Sequence, residues 1–352
     1  MPCYPFRRMS GLRDPDQSLL LTGGTSALGW AVATRLAGAG HGVHLLVRKG
    51  SRRLARERVA DLRTAAPDAA GRIRLVTGDL LTPGLFEGGA GERLRAECVG
   101  VVHCAVDRRP DVARDALFEV NVRATRELLA FAEALERGAH RFVHVSDTAV
   151  SGDARGVWME DQLLDGQGFD DDAVSESRLV AERHVRRAMG RIPAVIARAV
   201  LPVGARPGPP DPVMKLVGRA QTLARAPLPG VLRRFLLVPG ASRRVHALPL
   251  AHVADVVAAC WSDAGATGAT VHIADPFAPT LMEWLRALSE EVGLARPGPS
   301  APASIDLLDD RFPARAVSYD TSHADGLLRR AGLRRPTFRE GIEAFACSLR
   351  AG

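Results

Sequence analysis

The first stretch of the chain whose residue types could do chemistry is TGGTSALG, Thr22 to Gly29. It joins a short apolar run, SLLLT, to ALGWAVATRLAGAG, in which Leu28, Val32 and Leu36 share one helical face. A tight strand-to-helix turn needs glycine, and a pyrophosphate can approach a helix N-terminus only where side chains are absent. On this spacing Gly23 serves the turn and Gly29 the close helix–strand packing, with Ser26 at the point of closest phosphate approach. The Ser26 hydroxyl could donate to a phosphate, or its Cβ could push a ligand outward. The competing reading is a purely structural turn. The strand–turn–helix setting favours dinucleotide binding.

The elements that must position this loop alternate along the chain. GVHLLVR, RIRLVTGD, CVGVVHCAV, RFVHVSD and IPAVIARAV read as strands after the first. Between them lie RRLARERVADLRTA, the long ARDALFEVNVRATRELLAFAEAL, and a helix running through SESRLVAERHVRR. Apolar strands alternating with crossover helices imply an α/β fold with a doubly wound parallel sheet. Ligands of such sheets bind at the carboxyl ends of the strands, where chain order reverses. Residues 1–17 read as a disordered tail and 18–200 as a dinucleotide-binding Rossmann domain. Residues 201–352 read as a smaller α/β substrate-binding and lid region, with 245–274 returning to the sheet. The lid texture comes from GARPGPPDPV and ARAPLPGVLRRFLLVPGASRR, rich in Pro, Gly and Arg; ARPGPSAPAS is a linker. Met214, Phe235 and Trp261 are candidate substrate contacts there, with helix packing the plainer reading for Met214 and Trp261.

Composition narrows the class. A chain of 352 residues that is 46% hydrophobic can bury a full core, and 25% charged residues argue against wholesale disorder. The net charge of +7 is carried by arginine, since Lys49 and Lys215 are the only lysines. The basic residues fall in scattered pairs without interleaved aromatics, which argues against a nucleic-acid partner and suits a solvated surface, a phosphorylated ligand or an acidic carrier. Five cysteines without C-x-x-C spacing argue for a reducing cytoplasm and against a disulfide scaffold or a metal site. No apolar run reaches membrane-spanning length, so no membrane partner is expected.

Taken together, TGGTSALG, VTGDLLTP, VVHCAV, VNVRAT, RFVHVSDTAVSGD, SRLVAERHVRRA, AVIARAVLPVG and RVHALPLAHVADVV resemble the extended short-chain dehydrogenase/reductase family. The likeness is to its branch of NAD-dependent epimerase/dehydratases and thioester-reductase-like proteins, and it runs from Ser18 to Leu288. The resemblance implies that Thr22, Gly23, Thr25, Ser26, Ala27, Leu28 and Gly29 line a dinucleotide. It implies that Asp79 accepts from the adenine amine with Leu80 packed beside the ring. It places Cys104, Ala105 and Val145 beside the cofactor. Arg48 stands where NAD-preferring relatives carry an acidic residue. With Ser51, Arg52 and Arg53 following, it suits a 2′-phosphate and favours NADP(H) over NAD(H). His103 matches a strand-packing position, and Asn121 a structural helix asparagine. The resemblance also implies a homodimer through the helices matching Asp115–Leu135 and Val174–Arg187.

The family's Ser/Thr–Tyr–Lys triad falls on Asp147, Val174 and Arg178. The only tyrosines are Tyr4 and Tyr319, and no Tyr-x-x-x-Lys occurs in the chain. Valine cannot donate a proton, and arginine is an obligate cation that holds ribose hydroxyls without relaying protons. Ordinary tyrosine-driven carbonyl reduction is therefore not expected. Three readings follow: a redox enzyme with another acid (Asp147, Glu176, Ser175, Ser177 or a lid residue), a non-redox isomerase, cyclase or dehydratase with Asp147 as base, or a dinucleotide-binding sensor or partner subunit without turnover. The substrate expected is a small molecule, carrier-bound or phosphorylated, of secondary metabolism. Asp147 and Arg178 face one another in the parent geometry, so an ion pair between them is one expectation. The other is that Asp147 only caps the loop after its strand.

Overall fold

Leu19, Leu20 and Leu21 are all fully buried, so the first strand is covered on both faces. That is the signature of a central strand in a sheet sandwiched between helices. The computed structural model describes residues 18–350, apart from 83, 110–111, 163–165, 171, 205–242 and 292–313. The N-terminal tail, the lid with Met214 and Phe235, and the linker near Pro297 lie outside the described residues.

The strands are β1 (Ser18–Thr22), β2 (Gly42–Val47), β3 (Ile73–Thr77), β4 (Cys98–His103), β5 (Arg141–Asp147), β6 (Gly156–Trp158), β7 (Ala194–Ala199) and β8 (Leu201–Val203). Helices α1 (Ala27–Gly38), α2 (Arg52–Ala65), α3 (Pro67–Arg72), α4 (Gly88–Glu97), α5 (Arg114–Phe118), α6 (Ala124–Glu133) and α7 (Ala173–Ala188) intervene. A seven-stranded sheet runs in the order Thr270–Ile273, β7, β5, β4, β1, β2, β3, and every pairing in it is parallel. The chain reverses its direction of growth between β1 and β4, which opens a crevice at their carboxyl ends.

Alternation along each strand splits the core in two. Leu19, Leu21, Val102, Val143 and Val195 face α1 and the helix Leu250–Ser262, meeting Val32, Leu36, Val253 and Val257. Leu20, Val101, Phe142 and Ile196 face the other way, onto Leu128, Phe131, Val185 and Ala188 of α6 and α7. Each fully buried side chain of this size stabilises by roughly 1.5–3 kcal/mol. Arg35 of α1 ties to Asp255 at 2.6 Å. Trp261 is buried on this side among His41 and His140, a packing role.

Two stretches depart from the sequence reading. The long helix expected from Ala113 to Leu135 is broken by a π turn at Glu119–Arg123. There the Asn121 side chain turns away to bond Asp107 and Ser177. Of residues 245–274, expected to return to the sheet, Thr270–Ile273 joins it and the first residues do not. Arg244–Val245 pairs with Ala314–Arg315 and Ala247–Pro249 with β8, both off the main sheet.

One polar cluster holds α7 to the sheet. Arg198 of β7 and Glu182 of α7 form an ion pair with both side chains fully buried, 2.7 Å apart. The guanidinium also donates to the carbonyls of Glu160 and Gln162 and contacts His272, and lies 4.5 Å from the Trp158 ring centre. Buried Glu160 accepts from the amides of His272, His323 and Ala324, fastening the edge strand Thr270–Ile273 to the helix Ser322–Ala331. Burial pushes the Glu160 carboxyl up to about 7.

Candidate active site at the carboxyl edge of the sheet

The glycine loop is shaped by backbone contact. Gly23 has φ of 74°, and a Cβ there would sit 2.5 Å from the Ala105 amide nitrogen across the crevice. A Cβ on Gly29 would meet the Gly23 carbonyl oxygen at 2.3 Å, so the helix can start this close to β1 only with glycine. Ser26 is the N-cap of α1: its Oγ accepts from the Gly29 amide at 3.0 Å and donates to the Gly23 carbonyl at 2.8 Å. The hydroxyl that could have faced a phosphate is thus turned back onto its own loop. Ala27 and Leu28 form the first turn, whose remaining amides are directed out of the helix end. Arg58 of α2 donates to the carbonyls of Thr25 and Ser26, a support with no signal in the loop motif itself.

The floor of the crevice is a directed hydrogen-bond chain. Thr125 Oγ1 donates to the Asn121 carbonyl, so it accepts from His103 Nε2 at 3.1 Å. His103 Nδ1 then accepts from Thr22 Oγ1 at 2.7 Å, and Thr22 Oγ1 accepts from the Ala105 amide. Thr22 and His103 are therefore structural links between β1, β4 and α6. Cys104 is buried, and burial pushes its thiol up to about 12. Val145 is packed within the apolar core. Arg48 is exposed at the end of β2, with Ser51 half-buried behind it, and its charge helps hold the Asp107 carboxyl below the usual range after the larger effect of Arg109. Asp79 accepts from the Leu81 amide at 3.0 Å, and Leu80 packs against the far-face core.

Asp147, Val174 and Arg178 come together at the end of β5. Arg178 Nη1 donates to Asp147 Oδ2 at 2.5 Å, while Asp147 Oδ1 accepts from the Ala149 amide at 2.8 Å. Ion pair and loop cap coexist, one on each carboxylate oxygen. Arg178 is buried and Asp147 is 22% exposed, so the carboxylate is the part reachable from the crevice. Burial lowers the Arg178 guanidinium to about 10 against the raising effect of Asp147, which leaves it charged at neutral pH. Val174 is half-buried in the first turn of α7, and its carbonyl accepts from Ser177. Arg108 Nη2 also approaches Asp147 Oδ2, at 3.8 Å. Sequence reasoning missed Arg108; its signal was a charged residue just past the carboxyl end of β4. The other acids considered are engaged elsewhere. Ser175 donates to its helix cap Asp172, Ser177 to the Val174 carbonyl while accepting from Asn121, and Glu176 pairs with Arg114.

Arg178 charges the space beneath the crevice. His144 and His103 stack with ring centres 5.4 Å apart on β5 and β4. Burial first, and Arg178 second, hold His144 down to about 3; His103 is held well below 6.5 by burial, His144 and Arg178. His272 is held to about 3 by burial and Arg198. All three are neutral in the fold and take up protons near 6.5 once unfolded. Their stabilisation is thus fully present above that value and is lost as pH falls toward the folded values. Glu160 acts in the opposite sense, favouring the fold below its unfolded value and losing that as pH rises through about 7. Thermal melts should show Tm falling steeply on the acid side, each imidazole contributing up to about 1.4 kcal/mol per pH unit. His144→Leu should flatten that limb. An acid limb equally steep in this variant would remove His144 from the account.

Among the described residues no cluster of His, Cys, Asp and Glu could hold a metal ion, and no helix is long and apolar enough to cross a membrane. The sequence profile of the family described as Male sterility protein matches residues 21–256. Fatty acyl-CoA reductase 1 of Xenopus laevis is 31% identical over 144 residues, which are 37% of this chain and 28% of that protein's length. The terminal R domain from the myxalamid PKS-NRPS biosynthetic pathway superposes with a TM-score of 0.72 at 20% identity, covering 98% of this chain and 92% of that one. A thiolation-reductase di-domain from an archaeal non-ribosomal peptide synthetase gives 0.74 at 18% identity, covering 95% and 75%. UDP-glucuronic acid 4-epimerase from Bacillus cereus, solved with NAD, gives 0.70 at 17% identity, covering 95% and 99%. At these identities the structural likeness is one of fold.

Proposed function

The chain belongs to the male sterility protein family, a nicotinamide-dinucleotide-binding group with an extended reductase/epimerase fold, and from that premise we propose that it binds NADP(H) in the β1–β4 crevice and acts on a small molecule without tyrosine-driven carbonyl reduction. The observation that carries this reading is the 2.5 Å contact between Asp147 and Arg178. It sets a carboxylate, stabilised by a guanidinium and an amide, where the family pattern has a neutral hydroxyl donor.

The residues present fit the dinucleotide. The loop Gly23–Gly29 and the first turn of α1 would hold the pyrophosphate, Arg48 a 2′-phosphate, Asp79 the adenine amine and Arg178 the ribose beside the nicotinamide. When bound, the nicotinamide supplies a hydride donor or acceptor. What this chain adds is an acceptor at the reacting end. Asp147 can take a proton from a substrate or anchor a developing positive charge. It is poorly suited to stabilise an oxyanion. Val174 offers no proton, and Ser175, Glu176 and Ser177 are committed to helix and surface contacts. These features support an isomerisation, elimination or cyclisation, or an oxidoreduction whose acid comes from elsewhere. The relatives named for fatty acyl-CoA and for a PKS-NRPS pathway support a small-molecule substrate, free or carrier-bound.

Cofactor choice is directly measurable. NADPH should bind more tightly than NADH in a calorimetric titration, and Arg48→Ala should erase most of the difference. A charge-assisted contact of this kind contributes roughly 1.5–3 kcal/mol, about a tenfold to hundredfold change in affinity. Equal affinity of the unaltered protein for both would overturn the role given to Arg48.

A further inference from the structure

The mouth of the crevice brings arginines together with the carboxylates of Asp107, Asp147 and Glu176. Four arginines cluster around the ends of β4 and β5 and the start of α7. Arg109 is taken up by Asp107, with its Nε at 3.0 and 3.2 Å from the two carboxylate oxygens and its Nη2 at 2.5 Å. Arg114 is taken up by Glu176 through two hydrogen bonds, at 2.6 and 3.1 Å. The remaining two, Arg178 and Arg108, share the single carboxylate of Asp147, at 2.5 and 3.8 Å. The nearby imidazoles of His103 and His144 add no charge, and Glu182 is consumed by Arg198. Asp147 therefore has two guanidiniums beside it, one close and one distant.

The two are held unequally. Arg178 is buried and makes the short, well-directed bond. Arg108 stands at the longer distance with 48% of its side chain exposed, its guanidinium at the lip of the crevice. A guanidinium offers five donors in a planar fork matched to oxyanions, and Asp147 at 3.8 Å uses little of it. An incoming anion would meet an arginine whose position is set by a neighbouring carboxylate but whose donors are open to solvent. We infer that Arg108 receives an oxyanion of the substrate, a carboxylate or a phosphate, and so makes the pocket selective for acidic small molecules. This deepens the reading of the crevice as the reaction site and rests on it. With the oxyanion on Arg108, the next atoms of the substrate lie beside Asp147.

The test uses the intact chain with two probes, succinate and inorganic phosphate, titrated at low ionic strength with and without saturating NADP+. Calorimetry should show saturable binding of at least one probe. Arg108→Met should weaken it roughly tenfold or more, and Arg108→Lys should retain part of it, while both variants bind NADP+ as the unaltered protein does. Which probe binds better identifies the oxyanion as carboxylate or phosphate. Unchanged probe affinity in Arg108→Met, or no binding of either probe to the unaltered protein, overturns the proposal. A loss of NADP+ affinity in Arg108→Met also overturns it, because Arg108 would then serve the cofactor. If NADP+ does not bind even the unaltered protein, the reading of the crevice fails. The cofactor-free titration still decides the role of Arg108.

Discussion

Glu182→Ala should destabilise this protein by about 3–5 kcal/mol, the largest single-residue effect expected outside the apolar core. The pair it breaks has no exposed surface on either side chain. Arg198 is an obligate cation, so removal of its partner leaves a charge that cannot be neutralised by losing a proton. Burying an uncompensated ion costs far more than the lost hydrogen bonds. The carbonyls of Glu160 and Gln162 and the Trp158 ring, all in contact with Arg198, offset only part of that cost. The double variant Glu182→Leu with Arg198→Met removes both charges and should recover most of the loss, since apolar replacements of buried pairs are often near neutral. Urea unfolding midpoints of the two variants decide this. A single variant that unfolds like the unaltered protein would mean the pair is not as buried as its geometry states.

How far the sequence could be read depended on the range of the interaction. The glycine loop declared itself because its demands are local: Gly23 must adopt positive φ and Gly29 must meet a carbonyl six residues earlier. The sheet was legible because runs such as Leu19–Leu21 and Val101–Val102 are too apolar to face water on either side. The pairing of Asp147 with Arg178 was open to anticipation only through the family resemblance, in whose geometry these two positions face one another. What stayed hidden depends on which elements meet. Arg198 in the middle of AVIARAV signals that a charge enters a buried strand and needs a partner, but nothing local selects Glu182. Glu160 bonds residues 112 to 164 positions away, which no periodicity reveals. The π turn at Asn121 was invisible because the partners of its side chain, Asp107 and Ser177, lie on other elements. Arg108 was overlooked for the same reason: Asp147 gives it meaning only across two strands.

The second large effect concerns the chemistry itself. If Asp147, Val174 and Arg178 are what withhold tyrosine-driven reduction, reversing all three should supply it. Asp147→Ser removes the anion facing a substrate carbonyl, Val174→Tyr restores a proton donor, and Arg178→Lys replaces an obligate cation with an ammonium that can relay protons as well as lower that donor's pKa. The changes have to be made together. Val174→Tyr alone would leave the carboxylate opposing the oxyanion, and Asp147→Ser alone would leave Arg178 buried without its closest partner. A positioned general acid contributes typically 10²–10⁴-fold, so a gain on the order of a hundredfold over the unaltered protein is expected. The deciding measurement is NADPH oxidation, followed by its absorbance, with a panel of aldehydes and ketones, on both proteins after each has been shown to bind NADPH. The expected result is carbonyl-dependent oxidation by the triple variant on the order of a hundredfold faster than by the unaltered protein. Carbonyl reduction by the unaltered protein at or above the rate of the triple variant would contradict it.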